Sequence, residues 1–144
     1  MIRLYQASCV AIGGRAVVIE GEPGSGKSSL ALALIDRGAL LIGDDTVVLE
    51  LRRDETGSNR LLASPPPNIA GLLEIRNVGL LSFQTAHELP VSLLLRLDQD
   101  APRFIDAAES VDLAGAVIPL VRLWPNSPVL YLRAEAALKE YGLG

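Results

Sequence analysis

Residues 16–38 read AVVIEGEPGSGKSSLALALIDRG, and this stretch decides the fold. Ala16-Val17-Val18-Ile19 is an unbroken apolar run rich in β-branched residues, the pattern of a strand buried on both faces. A glycine-rich turn comes directly after it. Ser28 to Asp36, SSLALALID, consists mainly of good helix formers, and Arg37-Gly38 supplies a cation and a C-terminal stop. Strand, glycine loop and helix in direct succession predict an α/β domain.

Gly21-Glu22-Pro23-Gly24-Ser25-Gly26-Lys27-Ser28 satisfies G-x-x-x-x-G-K-[ST] at every fixed position. By average residue usage, such a match arises by chance in a chain of this length roughly half a percent of the time. Glycines let the loop curl so that successive N–H groups point at one anion, and the start of the helix adds its positive end. Lys27 brings a point charge to the β- and γ-phosphates, and the Ser28 hydroxyl is a hard oxygen ligand suited to Mg²⁺. The expected ligand is therefore ATP, or GTP, with Mg²⁺.

Outward from the loop, Leu40-Leu41-Ile42 predicts a second buried strand, ended by Gly43-Asp44-Asp45, and Thr46 to Leu51 continues in β-type residues. Asp44 and Asp45 thus stand at a strand end, where a carboxylate can serve phosphoryl transfer; on spacing alone a turn-forming Asp pair is equally good. Polar residues Arg52 to Arg60 predict a hairpin loop with arms Val47–Leu51 and Arg60–Ala63. Ser64-Pro65-Pro66-Pro67 is a stiff connector without N–H donors at its prolines. Leu72–Val78 and Val91–Leu97 predict strands. Pro102, Pro119, Pro125 and Pro128 punctuate the chain beyond Leu97. Leu130 to Tyr141 predicts a closing helix with Leu130, Ala134, Ala137, Leu138 and Tyr141 on one stripe.

Bulk properties bound the function. The 144 residues suit a single domain, 49% hydrophobic and 21% charged. A net charge of −4 and a sequence pI near 5.0, without a basic run, argue against nucleic-acid binding. Apolar stretches fall short of the ~20 residues that span a bilayer, so no membrane partner is expected. One cysteine and no signal-peptide pattern suit a cytoplasmic protein. His87 lies among polar residues as a solvent-facing side chain, and Cys9 reads as a buried thiol. Trp124 suits a core or a subunit contact.

GEPGSGKSSLALALIDRGALLIGDDTVVLE, residues 21–50, resembles in one register the P-loop, helix, Arg-Gly stop and Asp-Asp strand of the HPr kinase/phosphorylase family. Ala70-Gly71-Leu72-Leu73-Glu74-Ile75-Arg76 resembles that family's second signature. The resemblance implies a P-loop kinase domain of the HPr kinase and phosphoenolpyruvate carboxykinase type: a mixed β-sheet with the P-loop helix and a C-terminal helix. It further implies a short form spanning residues 1–144, without the family's N-terminal domain.

The implied activity is ATP- and Mg²⁺-dependent phosphorylation of a serine on an HPr-like phosphocarrier. Gly21, Glu22, Pro23, Gly24, Ser25, Gly26, Lys27, Ser28 and Ser29 would hold the nucleotide, and Ser28 and Glu74 the metal. Asp45, beside Asp44, matches the general base, and Arg103 stands where the family has an arginine near the transferred group. A homo-oligomer is implied, with a hexamer as the family's assembly.

Departures weigh against the phosphorylase direction. Gln6 replaces a histidine, Ser29 an acid and Asn77 a glycine, and Trp124-Pro125-Asn126-Ser127-Pro128 lacks the stretch tied to dephosphorylation. Glutamine donates a hydrogen bond but does not titrate near neutral pH. A non-catalytic ATP sensor and a small-molecule phosphotransferase are the alternatives.

Overall fold

The computed structural model describes residues 2–144. In chain order the elements are β1 (Ile2–Tyr5), β2 (Ser8–Ile12), β3 (Arg15–Glu20), α1 (Lys27–Asp36), β4 (Leu40–Gly43), β5 (Val47–Arg53) and β6 (Asn59–Ser64). After them come β7 (Leu72–Ile75), β8 (Gly79–Ser82), β9 (Leu89–Leu97), β10 (Glu109–Leu113), β11 (Ala116–Leu123) and α2 (Leu130–Tyr141). Nine strands form one mixed sheet, with β1-β5-β6-β9-β3-β2-β4 in order and the β10–β11 hairpin attached to β9; β7 and β8 pair apart.

β9 is the junction of the sheet. Its first residues, Leu89 and Pro90, pair antiparallel with Ala63 and Leu62. Farther along, Val91 to Arg96 runs parallel to β3, and Leu94 to Leu97 parallel to β11. The two halves of the sheet fold over each other and enclose one core that includes Cys9, Val18, Ile42, Leu49, Leu94 and Ile118. A second core lies between the sheet and the helices, with Val17, Ile19, Leu30, Leu34, Leu93, Leu130 and Leu138. β3 therefore sends Ala16 and Val18 to one core and Val17 and Ile19 to the other. This two-sided burial explains the continuous apolar run.

Both predicted helices form. Gly38 adopts φ 109° just past α1, and the Ala39 N–H donates to Leu34 O at 3.0 Å. Arg37 caps α1 from one residue beyond its last turn, and its guanidinium pairs with Glu135 of α2 at 2.9 Å. α2 buries Leu130, Ala134, Ala137 and Leu138 as the stripe predicts.

Two expected boundaries move. The β5–β6 hairpin pairs out to Arg53 and Asn59, because the Asp54 carboxylate accepts from the Thr56 and Ser58 N–H groups, each at 2.9 Å, and closes a tighter loop. The strand expected over Leu72–Val78 stops at Ile75, where a turn through Asn77, φ 73°, reverses the chain into β8. Pro119 lies inside β11 opposite Ser110, but pairing with β9 begins only at Leu120, so its missing N–H costs no bond on that side.

Candidate phosphate and metal site

β3 ends at Glu20, and the loop after it curls back on itself. The Ser25 N–H donates to Glu22 O at 3.0 Å, and Gly24 and Gly26 take φ of 80° and 104°, a region open to glycine at no steric cost. Gly26 caps α1, whose regular bonding begins with the Leu30 N–H on Gly26 O at 2.9 Å. A Cβ on Gly21 would lie 2.5 Å from Ser25 Oγ and 3.2 Å from Leu97 Cβ, so a side chain there would displace the Ser25 hydroxyl. Ser25 Oγ is buried and has no hydrogen-bond partner. A buried hydroxyl left unpaired is costly, and an anionic oxygen in the loop is the group that would satisfy it. Lys27 Nζ donates to Gly21 O at 2.9 Å and Glu22 O at 3.1 Å, which keeps the ammonium on the rim of this loop. Glu22, Pro23 and Ser29 are exposed.

The acidic pair arrives from β4. Against β2 the register shifts by one residue, with Cys9 opposite Gly43 but Val10 opposite Leu41. Such a bulge re-aims the strand end. The chain then folds so tightly that a Cβ on Gly43 would sit 2.1 Å from Thr46 O. Within this turn the two aspartates separate. Asp44 is half-buried and its Oδ1 accepts from Ser28 Oγ at 2.6 Å and from Ser8 Oγ at 3.1 Å. Asp45 is exposed at the tip in the left-handed region, φ 63°. Aspartate tolerates that conformation better than most residues, and strained positions of this kind gather at functional sites.

Glu74 enters on β7. Its backbone N–H lies 3.5 Å from Asp44 Oδ2, while its side chain is exposed. The β7–β8 hairpin is tied down at its base: the Phe83 N–H donates to Gly71 O at 2.7 Å, and in the segment that follows Leu41 donates its N–H to Gln84 O at 3.3 Å and accepts from the Ala86 N–H at 3.0 Å. Ser28, Asp44 and the backbone of Glu74 are therefore assembled from three elements. Arg103 lies apart, exposed in the loop between β9 and β10, without a hydrogen bond or ion pair among the described residues.

On the other flank of the phosphate loop opens a cleft of about 780 Å³, lined by Gln6, Glu20, Glu22, Arg96, Asp98 and Asp100 among others. Sequence reasoning passed over its inner wall. Glu20 accepts a hydrogen bond from Tyr5 Oη at 2.5 Å and is ion-paired with Arg96, its neighbour across the parallel β3–β9 register. Burial first, and then the Glu20 carboxylate, push the Tyr5 hydroxyl up to about 12. Asp98 is held below the usual carboxylate range by the Asp100 N–H first and then by Arg122, which it meets at 3.0 Å.

Outside the site, burial pushes the Cys9 thiol well above its ordinary range, as an inert core cysteine requires. His87 is exposed. Among the described residues, no group of three or more His, Cys, Asp or Glu side chains gathers at metal-binding distance. Mg²⁺ in a nucleotide site asks for less, since phosphate oxygens and water complete its shell around one or two protein oxygens. The Ser28 hydroxyl and the carboxylate behind it fit that donor set.

The phosphate loop and the acidic turn both fall inside the match to the HPr Serine kinase C-terminal domain family, whose model covers residues 3–90. The chain belongs to this family. Among its relatives, the HPr kinase/phosphorylase of an Exiguobacterium species is 45% identical over 127 residues, covering 79% of this chain and 39% of the relative. That of Chloroherpeton thalassium is 31% identical over 156 residues, covering 96% of this chain and 45% of the relative. The chain thus spans less than half the length of these curated relatives. The solved structure of the Hpr(Ser) kinase/phosphatase from Coxiella burnetii superposes with a TM-score of 0.74 at 25% identity, covering 96% of this chain and 93% of that one. The HPr-kinase-type fold is thereby shown. Asn77 holds the turn after β7 at φ 73°, a conformation asparagine tolerates better than most side chains. No helix among the described residues is long and apolar enough to cross a membrane.

Proposed function

We propose that this domain transfers the γ-phosphoryl group of ATP to a serine on an HPr-like phosphocarrier protein, with Mg²⁺. The observation that carries the reading is the 2.6 Å bond from Ser28 Oγ to Asp44 Oδ1, which ties the phosphate loop to the acidic turn and leaves Asp45 free at its tip. The loop from Gly21 to Ser29 would hold the phosphates, with Lys27 leaving the carbonyls of Gly21 and Glu22 for them. Ser28 would hold Mg²⁺, with Glu74 available beside it. The ion's contribution is to offset charge on the transferring group.

Asp45 is the base in this proposal. The acceptor serine oxygen forms its bond to the γ-phosphorus as the bond to the β-phosphate oxygen breaks; the serine proton passes to Asp45 and ADP leaves. Positioning and charge stabilisation supply most of the rate in such a transfer. Arg103 would have to approach the transferred group by movement of its exposed loop. A homo-oligomer belongs to the same proposal, and exposed Val78 and Leu80 on the hairpin beside Glu74 suit a protein contact.

The test is intact-mass spectrometry of an HPr-like phosphocarrier after incubation with this protein, Mg²⁺ and ATP. One added phosphoryl group is expected, lost in Lys27→Ala and in Asp45→Ala, the latter still binding nucleotide. Transfer by Asp45→Ala at the wild-type rate would refute the assigned base. A second reading, nucleotide sensing without transfer, draws on Gln6, which lines the cleft where the family has a titratable histidine. It predicts ATP bound and no phosphoryl group moved.

A further inference from the structure

Among the described residues, Ser8 is one of two buried polar side chains, fully enclosed at 0% exposure on β2. The strand alternates cleanly: Cys9 and Ala11 enter the core between the sheet halves, while Val10 and Ile12 face the helices. Ser8 shares the side of Val10 and Ile12, and is the one polar member of that row. A hydroxyl in such a layer must find a partner, and Ser8 Oγ donates to Asp44 Oδ1 at 3.1 Å.

That oxygen is the one that also accepts from Ser28, at 2.6 Å. A serine hydroxyl has a single proton. Donated to Asp44, it leaves the Ser28 lone pairs turned away from the carboxylate and available to a cation. The arrangement holds only while the carboxylate keeps its rotation. The contact to Asp44 Oδ2 from the Glu74 N–H, at 3.5 Å, is too long to fix it. Ser8, fully buried in a central strand between β3 and β4 and 3.1 Å from the carboxylate, is the anchor.

We infer that Ser8 is a positioning residue for the metal-binding step: through Asp44 it orients the Ser28 hydroxyl so that Mg²⁺ is accepted with the nucleotide. The inference rests on the proposed Mg²⁺-nucleotide site and adds a residue to it from outside the loop and the acidic turn.

The test compares wild type, Ser8→Ala, Ser8→Cys and Ser8→Thr in the intact chain. Binding of a fluorescent ATP analogue is measured without metal and then titrated with Mg²⁺, with circular dichroism to verify folding. Loss of one hydrogen bond to a charged group predicts that half-maximal response in Ser8→Ala and Ser8→Cys needs roughly three- to tenfold more Mg²⁺. Metal-free binding should stay within about twofold of wild type, since Ser8 does not meet the phosphate loop. Ser8→Thr, which keeps the hydroxyl, should recover most of the response. Ser8→Cys puts a slightly larger atom with only a weak S–H donor in place of the hydroxyl, and keeps the test open if Ser8→Ala does not fold.

An unchanged Mg²⁺ response in the alanine or cysteine variant overturns the inference. So does a shift that threonine fails to lessen, or wild-type nucleotide binding indifferent to Mg²⁺. A wild type that binds Mg²⁺ with the nucleotide but phosphorylates no phosphocarrier removes the transfer reading alone, and the titration still decides the role of Ser8.

Discussion

Replacing Gly43 by alanine strikes the acidic turn without touching a charged group. The added Cβ would stand 2.1 Å from the Thr46 carbonyl oxygen, whereas carbon and oxygen ordinarily approach no nearer than roughly 3.3 Å. The turn must therefore open by about 1.2 Å. The opposing atom is backbone and Gly43 is buried, so no flexible side-chain tip can yield. Overpacking of this kind costs about 1–3 kcal/mol. For a domain of this size each kcal/mol lowers Tm by about 2–4 °C, which gives an expected drop of about 2–12 °C.

Because Asp44 and Asp45 ride on the same turn, the Mg²⁺ response of nucleotide binding should weaken as well. Gly14→Ala is the control. It meets open space and has only φ +80° to contend with, so it should cost about 1 kcal/mol and leave the Mg²⁺ response intact. Thermal melts and metal titrations on both variants check this. A Gly43→Ala protein melting within a degree of wild type, with an unaltered Mg²⁺ response, would refute the argument that the Thr46 carbonyl sets the turn.

Tyr5 should ionise only near pH 12, well above its ordinary 10.0, and an ultraviolet titration differenced against Tyr5→Phe reads it directly. Its proton is held more tightly in the folded chain than in the unfolded one. The stabilisation linked to it is accordingly complete below about pH 10 and disappears as pH rises toward 12; a Tyr5 transition near 10 would contradict the Glu20 contact. Ser25→Ala removes the unpaired buried hydroxyl of the phosphate loop, so the nucleotide-free protein should gain about 1 kcal/mol while nucleotide affinity falls severalfold. Unchanged affinity in a calorimetric titration would show that Ser25 Oγ faces no phosphate oxygen.

The phosphate loop, the helix after it, the closing helix and the strands β3, β4, β5, β6, β9 and, up to its early end at Ile75, β7 were legible along the chain. Each is a local pattern: a glycine motif, a 3.6-residue stripe, or an apolar run between turn residues. β1, β2, β8, β10 and β11 were not. β1 exposes Ile2 and Leu4, β8 exposes Gly79 to Ser82, and β10 buries little beyond Leu113, so their strands lack the signal of a buried face. β11 carries Pro119 in its interior, a residue that argues against a ladder. In β2, the polar member of the helix-facing row, Ser8, was the signal available for the anchor of Asp44. Its meaning depended on knowing what packs above it.

By itself the sequence determined that a loop able to cradle phosphates sits between a buried strand and a helix, with a pair of aspartates a short span downstream. These features arise from contacts within a few residues, where glycine freedom, proline geometry and side-chain periodicity act directly. Only the tertiary structure decided how the two aspartates divide. A bulge in β4 and the tight approach of Thr46 to Gly43 bring Asp44 to Ser28 and Ser8 and leave Asp45 exposed. Ser8 and Asp44 are 36 residues apart, and the Glu20–Arg96 pair 76 apart. Such partners are chosen by sheet register and by which residues share a side of it, quantities that no stretch of chain carries alone.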